Sequence, residues 1–165
     1  MPFVRSGGYT AGMRIGETLA DFELLDQHKT PRKLSELAAA GPLVVFFYPL
    51  AGSGGCTKEA CHFRDLAQEF AAAGASLVGI STDSPAKQLA FATENRLDYP
   101  LLSDPQGTVA DAFGVKRRLL AKTLPTKRAT FIVDSSLTVR FQVASETNMD
   151  VHANAALAAL AESAW

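Results

Sequence analysis

The chain has 165 residues, 47% hydrophobic and 20% charged, with a formal net charge of −1. A single core of this size can bury roughly 68–70% of the surface its unfolded chain exposes, so one domain without disulfide staples is expected. The near-neutral charge argues against nucleic acid as a partner, because phosphate binding needs a strong basic field.

Residues Met1 to Gly12 hold one Arg and no apolar run, so we expect a flexible extension and not a secretory signal. Asp21–Leu25 reads as a short strand and Asp26–Lys33 as a polar turn. Ser35–Ala40 reads as a short helix with Ser35 as its N-cap. Pro42–Tyr48 is a continuous apolar, β-rich run, the pattern of a strand buried on both faces. With the next few residues it makes the longest apolar stretch, to Ala51, far short of the roughly 20 residues a membrane helix needs. No membrane association and a cytoplasmic location are therefore expected.

The loop Pro49–Gly55 follows, then a helix from about Cys56 to Ala73 whose Ala60, Phe63, Ala67 and Phe70 make one apolar face. Ser76–Ser81 reads as a second central strand. A helix capped by Ser84, with Pro85 in its first turn, should run to about Asn95. Pro100–Leu102 is a candidate short strand, and Gln106–Phe113 a short helix stopped by Gly114. Arg128–Val133 and Thr138–Val143 suit a hairpin around Asp134–Leu137. Met149–Glu162, rich in alanine, is a closing helix. Strands and helices alternate and then end in a hairpin and a helix, an α/β order with a mixed central sheet. It matches a thioredoxin-like fold by analogy.

The chain has two cysteines. In a reducing compartment a thiol pair is more often catalytic or metal-binding than structural. Cys56 falls at the expected start of a helix, where unpaired backbone N–H groups and the helix dipole favour the thiolate, the reactive form. Gly54 and Gly55 allow backbone N–H groups close to a bound oxygen, and the Ser53 hydroxyl can donate or accept there. Oriented donors of this kind stabilise the charge that develops on the departing oxygen when sulfur attacks a peroxide.

Cys61 stands five residues further on. On one helix the two are separated by roughly 7.5 Å of rise and point about 140° apart, which puts their Cα atoms on the order of 9 Å from each other. A disulfide needs about 4.4–6.8 Å. If Cys61 resolves an oxidised Cys56, the first helical turns must unwind. His28, His62 and His152 show no zinc-type spacing with the cysteines, and no C-x-x-C is present; no metal or organic cofactor is expected. Taken alone, Cys61 also reads as a small buried hydrophobe. Arg128 alone also reads as part of a solvated basic stretch with Lys116, Arg117, Arg118, Lys122 and Lys127. Glu59 reads as helix support and His62 as an exposed helical residue.

Phe47–Asp65 (FYPLAGSGGCTKEACHFRD) resembles the active-site segment of peroxiredoxins, marked by Pro-x-x-x-Thr/Ser-x-x-Cys, with Pro49, Ser53 and Cys56 in those places. The second Cys five residues on is similar to the bacterioferritin-comigratory, or peroxiredoxin Q, subfamily. The resemblance runs from about Met13 to Val143, with further matches at Gly79–Ser84, Leu102–Asp104 and Arg128–Asp134. It implies that Cys56 is the peroxidatic nucleophile and Cys61 the resolving cysteine. Ser53 would bond peroxide and thiolate, Arg128 would hold the thiolate and polarise the peroxide, and Pro49 would shield the sulfur. Gly54 and Gly55 would line the substrate site. It further implies reduction by thioredoxin or a similar dithiol protein, and a monomer or weak homodimer.

The chain departs from the pattern in places. Ser53 stands for the commoner Thr, leaving its hydroxyl more rotamers. Ser53-Gly54-Gly55 lacks the usual Pro, and Gly16–Phe22 (GETLADF) replaces an Ala-Pro-Asp-Phe-like turn. A peroxide-responsive redox sensor or relay with slow turnover, and a thioredoxin-like binding module with incidental cysteines, stay open on the sequence.

Overall fold

The computed structural model describes residues 15–117, 126–162 and Trp165. The expected N-terminal extension, together with Arg118 and Lys122 of the basic stretch, lies outside the described residues. Among the described residues, seven strands form one mixed sheet flanked by helices. In chain order these are β1 (Glu23–Leu25), β2 (Pro31–Lys33), α1 (Leu34–Leu37), β3 (Leu43–Phe47), α2 (Gly54–Asp65), α3 (Ala67–Ala72) and β4 (Ser76–Ser81). Then come α4 (Pro85–Asn95), β5 (Leu101–Ser103), α5 (Thr108–Ala112), β6 (Ala129–Val133), β7 (Val139–Ala144) and α6 (Asp150–Glu162).

The spatial order is β2-β1-β5-β4-β3-β6-β7. β3, β4 and β5 run parallel, while β6 lies antiparallel to β3 and β7 antiparallel to β6. β3 is buried along its whole length, as its unbroken apolar run predicts. Side chains alternate across a strand, so Leu43, Val45 and Phe47 pack on one face with Val109, Phe113 and Phe131. Val44, Phe46 and Tyr48 point the other way, into a core shared with Cys56, Ala60, Phe63, Phe70 and Phe91. The segment carrying the cysteines is thus attached to the sheet by its aromatic face: the Phe46 and Phe63 rings stack at 4.4 Å.

The structure departs from the sequence reading in four places. β2 falls within the expected polar turn; it is a three-residue, Pro-containing strand with mostly exposed residues, too short to show a pattern. Ser35 does not cap α1, which ends at Leu37, three residues short of its forecast end; the cap position is Lys33 with no side-chain bond, and the Ser35 hydroxyl instead donates to Asp21. The long helix after the Gly loop starts at Gly54, two residues early, and is broken at Leu66 (φ −98°, ψ 11°) into α2 and α3. The other expected elements fall within two residues of their forecast ends, including α4, where the Ser84 hydroxyl accepts from the Lys87 amide.

Gly79 of β4 is required by packing and not by its turn chemistry. A Cβ there would meet Leu101 and Phe46 at 2.9 Å and Tyr48 at 3.0 Å. We expect Gly79→Ala to cost about 1–3 kcal/mol of stability through overpacking, read as a lower urea midpoint. An unchanged midpoint would show that this core has slack.

Candidate active site

The site forms where the parallel strand β3 ends and its chain crosses into α2, the end of a sheet at which α/β folds bind ligands. Ser53 is the N-cap of α2: its backbone is extended (φ −69°, ψ 154°) and its Oγ accepts from the Cys56 amide at 3.3 Å. Its carbonyl accepts from the Thr57 amide at 2.9 Å. The capping hydroxyl keeps its own proton free to donate. Gly54, Gly55 and Cys56 are the first three helical residues, so their amides are those a helix cannot satisfy itself. Cys56 is 1% exposed and Pro49, in the loop before it, is buried.

Antiparallel register brings in Arg128. Phe47 pairs with Ala129, so the residue before Ala129 arrives beside the chain leaving β3. Arg128 is 5% exposed. Its Nη2 donates to the Cys56 sulfur at 3.3 Å and its Nη1 to Glu59 Oε2 at 2.9 Å. The solvated basic face considered for this residue is therefore not its setting. Its backbone N–H donates to Glu146 at 3.1 Å. A Cβ on Gly55 would lie 3.2 Å from Arg128 Nη2 and 3.5 Å from the Met149 sulfur. Glycine thus lets the guanidinium and the thioether approach the helix N-terminus closely.

Glu59 extends the sequence reading. It stands three residues after Cys56 and so shares its helix face, and beyond any support of its helix it is wholly buried and paired with Arg128. Burial pushes its carboxyl up to about 7, against the pull of the Arg128 guanidinium beside it. His152 of α6, also wholly buried, lies 3.9 Å from the same carboxylate oxygen. Its Nε2 donates to the Ser145 carbonyl at 2.9 Å and its Nδ1 pairs with the Thr130 hydroxyl at 2.9 Å. Burial lowers its pKa, consistent with a neutral ring in that tautomer. His62 is half-buried and bonded to Asn154 at 3.0 Å, not exposed as expected.

A second polar set holds the loop that precedes Cys56. Asp83 accepts from the Ala51 amide at 2.8 Å and from the Ser81 hydroxyl at 2.8 Å. Gln88 donates to Ser81 at 2.9 Å and to the Leu102 carbonyl at 3.0 Å, and accepts from the Tyr48 hydroxyl. Neither this set nor the Glu59–Arg128 pair was found from sequence, because each joins residues tens of positions apart. Glu59 alone carried a signal, its three-residue spacing from Cys56. Cys61 is half-buried on the same continuous helix as Cys56, with its thiol 3.7 Å from Asn95 Oδ1. Both cysteines are free thiols.

A buried thiol at a helix start, with a guanidinium on its sulfur and glycine letting that guanidinium pack against the helix N-terminus, is suited to thiol chemistry. The AhpC/TSA family model matches residues 15–142. The chain belongs to the AhpC/TSA family. A Mycobacterium tuberculosis protein that bears a peroxiredoxin name is 61% identical over 148 residues, 90% of this chain and 96% of its own length. The crystal structure of Peroxidoxin BcpB from Mycobacterium tuberculosis is 59% identical, superposes with a TM-score of 0.88 and covers 93% of this chain and 99% of that one. A Xanthomonas campestris Peroxiredoxin Q structure is 30% identical with a TM-score of 0.78, covering 86% of this chain and 90% of that one. The fold of this AhpC/TSA member is thioredoxin-like and the protein is a peroxidase of the peroxiredoxin Q kind, as its residues led us to expect.

The raised Glu59 value has a consequence for stability. The folded state holds that proton more tightly than the unfolded chain, so Glu59 makes stability fall as pH rises from the ordinary glutamate value of 4.5 to about 7. One such group gives a slope of up to about 1.4 kcal/mol per pH unit. We expect the stability of wild type relative to Glu59→Gln, from urea unfolding between about pH 5 and pH 8, to decline in that sense. A difference that stays flat would mean that the carboxyl is ionised throughout.

Proposed function

We propose that the protein reduces hydrogen peroxide and organic hydroperoxides by a two-cysteine cycle centred on Cys56. The observation that supports this most strongly is the Arg128 N–H at 3.3 Å from the Cys56 sulfur, packed against Gly55 at the start of α2. A peroxide entering past Gly54 and Gly55 meets a sulfur nucleophile, a fixed positive charge and the free proton of the Ser53 hydroxyl. Pro49 and the aromatic core behind Cys56 keep water from the sulfur.

In this reading the Cys56 thiolate attacks the terminal oxygen. The S–O bond forms, the O–O bond breaks, and the departing oxygen leaves as water or alcohol after taking a proton. Arg128 and the first α2 amides carry the charge that gathers on that oxygen. The Cys61 thiol then gives up its proton and attacks the sulfenic sulfur, the S–O bond breaks, the departing hydroxide takes that proton and leaves as water, and a Cys56–Cys61 disulfide results. Both cysteines sit in one helix, so this step needs α2 to open. Thioredoxin or a similar dithiol protein restores the two thiols. We place this cycle in the reducing cytoplasm, in a monomer or weak homodimer; among the described residues no helix is long and apolar enough to cross a membrane.

Intact mass after one equivalent of hydrogen peroxide tests the cycle. Wild type should lose two hydrogens, Cys61→Ser should gain one oxygen, and Cys56→Ser should barely react. Oxidation of Cys56→Ser at the wild-type rate would remove Cys56 from the reaction.

A further inference from the structure

The opening of α2 has a specific obstacle. Ala60 lies between the two cysteines, and its carbonyl accepts the Tyr99 hydroxyl at 2.7 Å, in addition to the amide four residues on that a helix supplies. Tyr99 is 6% exposed and cannot follow a moving helix. Its own carbonyl accepts from Gln27 Nε2 at 3.2 Å, Gln27 Oε1 accepts from the Leu101 amide at 2.9 Å, and its ring stands edge-on to Phe46 at 5.8 Å. Burial holds the hydroxyl well above its ordinary pKa, so it keeps the proton it donates. Beyond Ala60 the helix is also tied to the end of α4: Arg64 Nη1 donates to the Asn95 carbonyl at 2.7 Å.

We propose that Tyr99 is a positioning residue which, through Ala60, holds α2 closed and sets how the Cys56 sulfenic acid divides between two fates. One is the disulfide with Cys61; the inference rests on Cys61 being the resolving cysteine. The other is attack of the sulfenate on a second peroxide, in which a new S–O bond forms, the O–O bond breaks, water or alcohol leaves and the sulfinate results. Bringing the cysteine Cα atoms from about 9 Å to the 4.4–6.8 Å of a disulfide distorts the turn that includes Ala60. The Tyr99 hydroxyl then stays behind in the core without an acceptor, a loss that the closed helix avoids. The hydroxyl therefore lengthens the life of the sulfenic acid and leaves the first attack untouched.

Tyr99→Phe removes the hydroxyl and keeps the ring. In the full chain, rapid quench and intact mass should show disulfide formation from the sulfenic acid faster by about fivefold or more, the worth of one buried hydrogen bond. The peroxide concentration giving half sulfinic acid should rise in proportion, while the rate of the first oxidation stays within about twofold. A general loosening of the fold would slow the first oxidation instead. Amide exchange gives a second reading: Tyr99→Phe should speed exchange across 60–64 and leave β3 as it was. If wild type forms the Cys56–Cys61 bond on peptide mapping but Tyr99→Phe resolves no faster, Tyr99 is not the restraint. If wild type forms no such bond, the resolving role of Cys61 fails first and the role of Tyr99 falls with it.

Discussion

The geometry of the site depends on one guanidinium. Arg128 is nearly inaccessible to water and divides its donors between the Cys56 sulfur and the Glu59 carboxylate. A buried cation is tolerated only when paired, and here the pairing fixes the Cys56 sulfur as well. The two acceptors lie three residues apart on the first turns of α2, so one planar group spans one helix face. It arrives there because β6 is antiparallel to β3 in a register that sets Ala129 against Phe47. A slip of one residue would turn every side chain of β6 to the other face and leave Glu59 buried and unpaired.

Around that cation the molecule separates what must stay from what must move. The loop before Cys56 is held through the Ala51 amide by Asp83, itself fixed by Ser81 and Gln88. The far half of α2 is tied to Tyr99 and Asn95. Between them, from Gly54 to Glu59, the helix is bound chiefly by Arg128 and by the Ser53 cap. Two glycines at its start lower its resistance to unwinding. That stretch, together with the turn at Ala60 that Tyr99 holds, is what a disulfide between Cys56 and Cys61 would have to remodel.

Much of this was legible along the chain. The apolar run Pro42–Tyr48 and the Ser-Gly-Gly turn are local signals, and they placed the buried strand, the helix start to within two residues and Cys56 in its first turn. Arg128 could be assigned only through the family resemblance, because nothing local distinguishes a strand-opening arginine in a basic stretch from a solvated one. The burial of Glu59 was missed for the complementary reason: an acidic residue near a helix start is usually exposed and stabilised by the dipole, and its burial follows from β6 and α6 packing over it. His152 and the Asp83–Gln88 network depend wholly on tertiary contacts and left no local trace.

The proposed cycle depends on Arg128 holding the Cys56 sulfur and carrying the charge that gathers on the departing oxygen. Its most direct test is the second-order rate of Cys56 with hydrogen peroxide in Arg128→Lys, followed by stopped flow beside wild type. Lysine keeps the charge but loses the fork that reaches both acceptors, and loss of one oriented donor to a developing oxyanion costs about 100-fold or more. We expect a fall of that size in a protein that unfolds cooperatively like wild type. A rate within about twofold of wild type would show that the guanidinium holds the fold together and does not carry the chemistry.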